Sequence, residues 1–338
     1  SDSIRPMRHP LASILLAAIL ASGCASDGEP TAEQKEKMLE VYKETAQSLF
    51  SMGEVERAAG QAMKGLELAP DDQELKLILA WSLQKRGRTE DVGRAEALFR
   101  EVAPSGDFRA LLGLGDALER KGLAFAEAAD KIESGDRVTE AADPKKRVAD
   151  LRAKAAEAWR ESAGWYQATI EKQRENSDAW SGLLRVHSLL GERQPALVAA
   201  RRAIEYSKAD YDFWESRVRA TDVRIEEERR MRALIGRKQK ILVATHLSAY
   251  QLCVDEGLAD EARTHLDAAL ALDPGRGECY SRRAQLNLDA GRCKEAVEDI
   301  DQFLRLSTLA FEHPDMRKAW QLRRDAEACL KRQQAAGG

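Results

Sequence analysis

The chain has 338 residues, 33% of them charged and only 6% aromatic, with a formal net charge of −4. Lysines and arginines are interleaved with acidic residues throughout, which excludes the one-sided basic footprint of a nucleic-acid-binding protein. Even the densest basic run, 226–240, opens on Glu226, Glu227 and Glu228 and reads as a solvated helix face.

At the N-terminus Arg5, Arg8 and His9 precede an apolar run from Leu11 to Leu20, followed by Ala21-Ser22-Gly23-Cys24. A short basic region, about ten apolar residues and then small residues describe an export signal. The run is too short to span a bilayer, which takes about 20 residues. Ala21-Ser22-Gly23-Cys24 resembles the bacterial lipobox. That resemblance implies a lipoprotein, with residues 1–23 as signal peptide, Cys24 as the site of lipidation and residues 24–33 as a lipidated polar tether. Several acyl chains on Cys24 would make a stable membrane anchor. With Ala25 and Ser26 after the cysteine, no inner-membrane retention aspartate is present. The expected location is the cell envelope, on the periplasmic face of the outer membrane.

Further along, a frame of small residues repeats. Tyr42, Ala46 and Leu49 precede Gly53; Ala58, Ala62 and Gly65 follow it, and Pro70 closes the unit. Leu79, Ala80 and Leu83 lead to Gly87, with Ala95 and Phe99 beyond. Gly115, Leu118 and Gly122 start a third unit, and Trp180, Leu183, Gly191, Ala196, Ala200 and Ala203 make a fourth. Tyr250, Gly257, Ala262, Leu266, Ala269 and Pro274 repeat the frame, as do Ala284, Gly291, Ala296, Ile300 and Phe303. Gly53 to Gly87 and Gly257 to Gly291 are each 34 residues. A period of 34 marks a helix–turn–helix unit that buries its apolar face only by stacking on neighbours.

On these residues the chain resembles tetratricopeptide-repeat (TPR) proteins. The implied fold is all-α: an α-solenoid of about six TPR-like units with two elongated helical insertions and a C-terminal capping helix. The insertions follow from two gaps that are each about one repeat too long, Gly122 to Gly191 and Gly191 to Gly257. Both gaps carry apolar residues at helical spacing, including Leu151, Ala155, Ala158, Trp159, Tyr166 and Ile170 in one. The predicted order is N-terminal repeats over 34–122, a helical insertion and long helix over 123–176, a repeat over 177–209 and an elongated helix over 210–242. C-terminal repeats over 243–309 and a cap over 310–334 complete it.

Little in the sequence points to catalysis. The five histidines include no pair at i,i+4 beside a glutamate, and His187 and His246 fall on inward packing positions. There is no Gly-x-Ser-x-Gly elbow, no Gly-rich phosphate loop and no zinc-ribbon cysteine spacing. No enzyme activity, cofactor or metal is expected. An exported compartment permits disulfides. Cys293 starts the second helix of the last full repeat and Cys329 lies near the end of the cap, level with it if the cap packs antiparallel. Cys293–Cys329 is therefore the preferred pair, and Cys253 reads as a buried thiol.

In TPR solenoids the first helix of each repeat lines a concave groove. That rule nominates Phe50, Ile78, Trp81 and Leu112 as an apolar strip, with Lys85, Arg109 and Asp116 beside it. Ser181, Arg185, Ser248, Gln251, Arg282 and Gln285 make a more polar continuation. The strip is either open to an extended segment or amphipathic helix, or covered by the segment after Gly122. The resulting expectation is a membrane-anchored scaffold or adaptor that binds envelope proteins or peptides. The alternative is a periplasmic accessory subunit of a solute transporter, enclosing a small ligand near Trp81 and Trp180.

Overall fold

A computed structural model describes residues 31–135, 143–220 and 225–337. Among them the chain is all-α: thirteen α-helices and no strand. The predicted signal peptide, Cys24 and most of the tether lie outside the described residues. No helix among the described residues is long and apolar enough to cross a membrane. The chain divides after Arg174 into two compact units.

The first unit holds α1 (Ala32–Ser51), α2 (Val55–Leu68), α3 (Gln73–Arg86), α4 (Thr89–Val102), α5 (Phe108–Glu133) and α6 (Pro144–Lys172). Thr31 opens α1 with a capping box, its hydroxyl accepting from the Gln34 amide while the Gln34 side chain accepts from Thr31 N–H. The helix thus begins inside the tether predicted over 24–33. Asp72, Asp107 and Asp143 cap α3, α5 and α6, each carboxylate accepting from a backbone amide of the first turn. Consecutive helices pack in pairs, and the first helix of each pair also touches the next first helix, α1 on α3 and α3 on α5. Leu75, Leu83, Phe99, Leu114 and Leu118 fill the space between them.

The glycines that spaced the repeat divide into two kinds. Gly53, Gly87, Gly191, Gly257 and Gly291 all sit in turns with φ between 71° and 79°, the left-handed region that a Cβ makes costly. Gly122 does not. It lies inside α5, and a Cβ there would meet Trp159 Nε1 at 2.3 Å. Two turns earlier Gly115 receives Tyr166 in the same manner, at 2.7 Å. So the boundary expected at 122/123 falls within a helix. What looked like an insertion after a short repeat is one long antiparallel pair, 26 residues on 29. Polar groups fix its register: Ser162 Oγ donates to Gly115 C=O at 2.7 Å, and Trp159 Nε1 donates to Glu119 C=O at 3.3 Å.

The second unit holds α7 (Ser177–Leu189), α8 (Arg193–Ala220), α9 (Ile225–Asp255), α10 (Ala259–Leu272), α11 (Gly277–Asp289), α12 (Cys293–Leu306) and α13 (Pro314–Gly337). The elongated helix expected over 210–242 is divided here. Its first part ends α8 and the rest begins α9, so the boundaries at 209/210 and 242/243 both fall inside helices. The reason is packing: a lone extension would leave its apolar stripe uncovered, whereas two extended neighbours cover each other. From α10 onward the unit returns to helices of 13 or 14 residues before α13. Arg283 ties these together, donating to Asp267 at 2.6 Å and to Asp299 at 2.5 Å and 2.9 Å. Ile300, Phe303, Met316 and Ala319 seat α13 on α12.

Candidate interaction surface

The predicted apolar strip does not form an open groove. Ile78 is 4% exposed and Leu112 is 9% exposed. The cause lies in α3, where Leu75, Leu77, Ile78, Leu79, Ala80 and Leu83 are all buried. Consecutive buried residues from Leu77 to Ala80 leave no single apolar stripe, so these positions are core, and α3 is packed by α1, α2, α4 and α5. Trp81 is half-buried, edge-on to Phe99 with ring centroids 5.2 Å apart. Phe50 is also half-buried, and the Lys85 ammonium sits 4.1 Å above its ring.

The charged candidates on this layer are paired within the chain. Arg109 forks onto Glu74 at 3.0 Å and 2.9 Å and onto Asp107 at 2.7 Å, and these partners, Asp107 foremost, hold its guanidinium firmly protonated. Asp116 lies 2.7 Å from the Tyr166 hydroxyl and accepts from Gln84 Nε2 at 3.3 Å. The same hydroxyl lies 2.7 Å from Glu119, so its single proton serves one carboxylate at a time. Lys43 pairs with Asp72 at 2.5 Å. These links join α1 to α3 and α3 to α5.

The polar continuation behaves differently. Ser248 and Gln251, on α9, face a cleft of about 400 Å³ that is also lined by Leu252, Asp255, Ser188, Gly191 and Arg193. It opens between the end of α7 and the last turns of α9, which make no extensive contact with each other. Ser248 and Gln251 are exposed, Gln251 donating to Asp255 at 2.9 Å. The other polar candidates, Ser181, Arg185, Arg282 and Gln285, do not line it.

Facing sides of α9 and α10 bring together four groups that the sequence does not place side by side. His246 and Cys253 lie seven residues apart on α9, Glu261 and His265 four apart on α10. His246 Nδ1 and His265 Nδ1 are 3.2 Å apart. His265 Nε2 is buried and has no hydrogen-bond partner, standing 3.9 Å from Glu261 Oε1. Arg201, on α8, holds Glu261 through two bonds of 3.0 Å and 2.9 Å and keeps its carboxyl below the usual range. Burial pushes the Cys253 thiol up to about 11. Burial, with His265 adding to it, lowers His246 to about 4. The readings of His246 as an inward-facing side chain and Cys253 as a buried thiol match their 7% and 0% exposure. The sequence signal for the cluster is the i,i+4 pair of Glu261 and His265, which a pattern built on two histidines passes over. His187, by contrast, lies half-buried in the last turn of α7 and bonds Glu192 at 2.6 Å.

Cys293 and Cys329 are joined, with Cα atoms 5.7 Å apart, inside the range a disulfide requires. Cys253 and Cys279 are free and buried.

These features define a helical-repeat protein, with antiparallel helix pairs stacked in series within each unit. No family model matches the chain, and no curated protein matches it. Among solved structures, the chain is similar to YrrB, described as a TPR protein with an unusual peptide-binding site. Identity is 16% over 78% of this chain and 97% of that one, with a TM-score of 0.48. It is also similar to TTC0263, a TPR protein of Thermus thermophilus, at 15% identity over 74% and 99%, TM-score 0.42. MamA follows at 16% over 72% and 96%, TM-score 0.41. The repeat assignment rests on the helix pairs and turn glycines themselves.

Proposed function

We propose that this chain is a scaffold that holds a protein or peptide segment in the cleft between α7 and α9. The observation that carries this reading is the cleft itself. It has the volume of a ligand-binding site, roughly 300–1,000 Å³, and Ser248, Gln251, Asp255, Ser188 and Arg193 offer it both donors and acceptors. An extended backbone is rich in both, so such a lining suits it. The first unit contributes spacing and rigidity in this reading, because its inner charges already satisfy one another. The lipobox-like Ala21-Ser22-Gly23-Cys24 supports placing the scaffold on a membrane, through acyl chains on Cys24, in the cell envelope. Its partners are then envelope proteins.

A photo-crosslinking residue at position 251 tests the cleft. It should trap a discrete partner in the native envelope, and the same residue at position 63, on the exposed outer side of α2, should not. Identical crosslinks from both positions would sink the assignment. Cys24→Ala should release the protein from membranes; full retention would refute the anchor.

A further inference from the structure

The cluster between α9 and α10 has the composition of a metal site. Cys253 Sγ, a Glu261 carboxylate oxygen and a ring nitrogen of His265 all lie within 4.8 Å of one another. We propose that Cys253, Glu261 and His265 bind a zinc-like divalent transition metal, with His246 positioning the His265 ring.

Three observations carry this. The first is an unsatisfied atom: His265 is 8% exposed, and its Nε2 has no hydrogen-bond partner. A buried polar atom without a partner costs about 1–3 kcal/mol, and a metal ion bonded to its lone pair removes that cost. The second is the other ring nitrogen. Nδ1 lies 3.2 Å from His246 Nδ1; in the tautomer that carries its proton on Nδ1, His265 donates to His246 and keeps the Nε2 lone pair for the metal. Ligating histidines are commonly oriented by such an outer hydrogen bond. The third is spacing. An ion with bonds of about 2.0–2.3 Å holds its ligand atoms roughly 3.5 Å apart. The 3.9 Å between His265 Nε2 and Glu261 Oε1 is close to that. The side chain with most room to adjust is Glu261, which is 33% exposed.

The donor set selects the metal. A thiolate, an imidazole and a carboxylate suit zinc and not magnesium or calcium, which take oxygen ligands. On binding, the Cys253 thiol proton leaves to solvent, and the thiolate and carboxylate together balance the ion's two charges. Arg201 uses one lone pair on each Glu261 oxygen and leaves another on each. Three protein ligands leave the fourth tetrahedral position for water.

The test uses the full-length chain titrated with zinc alone, and with cobalt(II) alone as a spectroscopic substitute. Wild type should bind one ion, and the cobalt form should show tetrahedral d–d bands with a thiolate charge-transfer band. Cys253→Ser and His265→Ala should weaken zinc binding by about a hundred-fold or more, and His246→Gln by about ten- to a hundred-fold. Cys279→Ser and His187→Ala should leave it unchanged. Wild type binding no tighter than Cys253→Ser would overturn the proposal. So would a cobalt form without thiolate charge transfer, a result that does not depend on whether any variant folds.

Discussion

The two units solve the same stacking problem with different chemistry. In the first, glycines admit aromatic rings: Gly115 takes Tyr166 and Gly122 takes Trp159, and ion pairs such as Arg109–Glu74 stitch neighbouring first helices. In the second, a cystine ties α12 to α13 and a cleft stays open between α7 and α9. The lesson concerns where binding capacity is left. A layer whose charged groups are mutually paired has little to offer a partner, while one with exposed Ser248 and Gln251 does.

The contrast is broken most severely at the cystine. Its sequence separation is 36 residues, and closing such a loop restricts the unfolded chain by about 4 kcal/mol. Cys293→Ser with Cys329→Ser should therefore lower stability by about that amount. Hydrogen exchange should rise in α12 and α13 and stay unchanged in α1–α6. Next is the glycine seam. Gly122→Val drives a side chain into the Trp159 indole and should cost about 3 kcal/mol. The denaturant midpoint gives the size, and accelerated exchange in α5 and α6 gives the location.

A pH titration sharpens the comparison further, because the buried His246–His265 pair belongs to the second unit alone. His246 falls from 6.5 unfolded to about 4 folded, so the folded state binds fewer protons between those values. Stability is complete above pH 6.5 and is lost as pH falls toward 4, by on the order of 2–3 kcal/mol. His265 is the titratable group beside it, and His265 is itself lowered by burial, which adds in the same direction. Chelator-treated wild type should show this loss in acid denaturation, and His246→Gln should show less of it. Equal acid sensitivity in both would refute the assignment. The smallest effect is expected at Arg109, whose side chain is 42% exposed. Arg109→Ala should cost below about 1 kcal/mol, since exposed pairs contribute little; thermal denaturation measures it.

The turn glycines made the repeat legible, because a left-handed turn constrains the residue type at one position in each unit. Gly122 misled for a related reason. Glycine is chosen both where φ is positive and where a neighbour packs against the helix backbone, and spacing alone does not separate the two. The division of 210–242 between α8 and α9 was hidden because two helical stripes in succession read as one. The apolar strip failed at Ile78 and Leu112 because a groove position and a core position are both apolar in a single helix. Ser248 and Gln251 were nominated by the TPR groove rule carried through the repeat register, and both line the cleft as exposed polar groups. The His265–Glu261–Cys253 cluster depends on α9 folding back on α10, which no local pattern encodes.

The long pair α8–α9 carries one more consequence. At about 1.5 Å per residue, helices of 28 and 31 residues run roughly 40–45 Å, about twice the length of the 14-residue α10. The 13 residues of α7 flank only part of α8. The far half of this arm is therefore held chiefly by its own two strokes, with Phe213 at 54% exposure and Ile225 at 77%. Cooperativity should thin out along it, so that the turns around Phe213 and those that follow Ile225 open and close many times for each opening of the body. Its amides should exchange by local fraying rather than with the global transition.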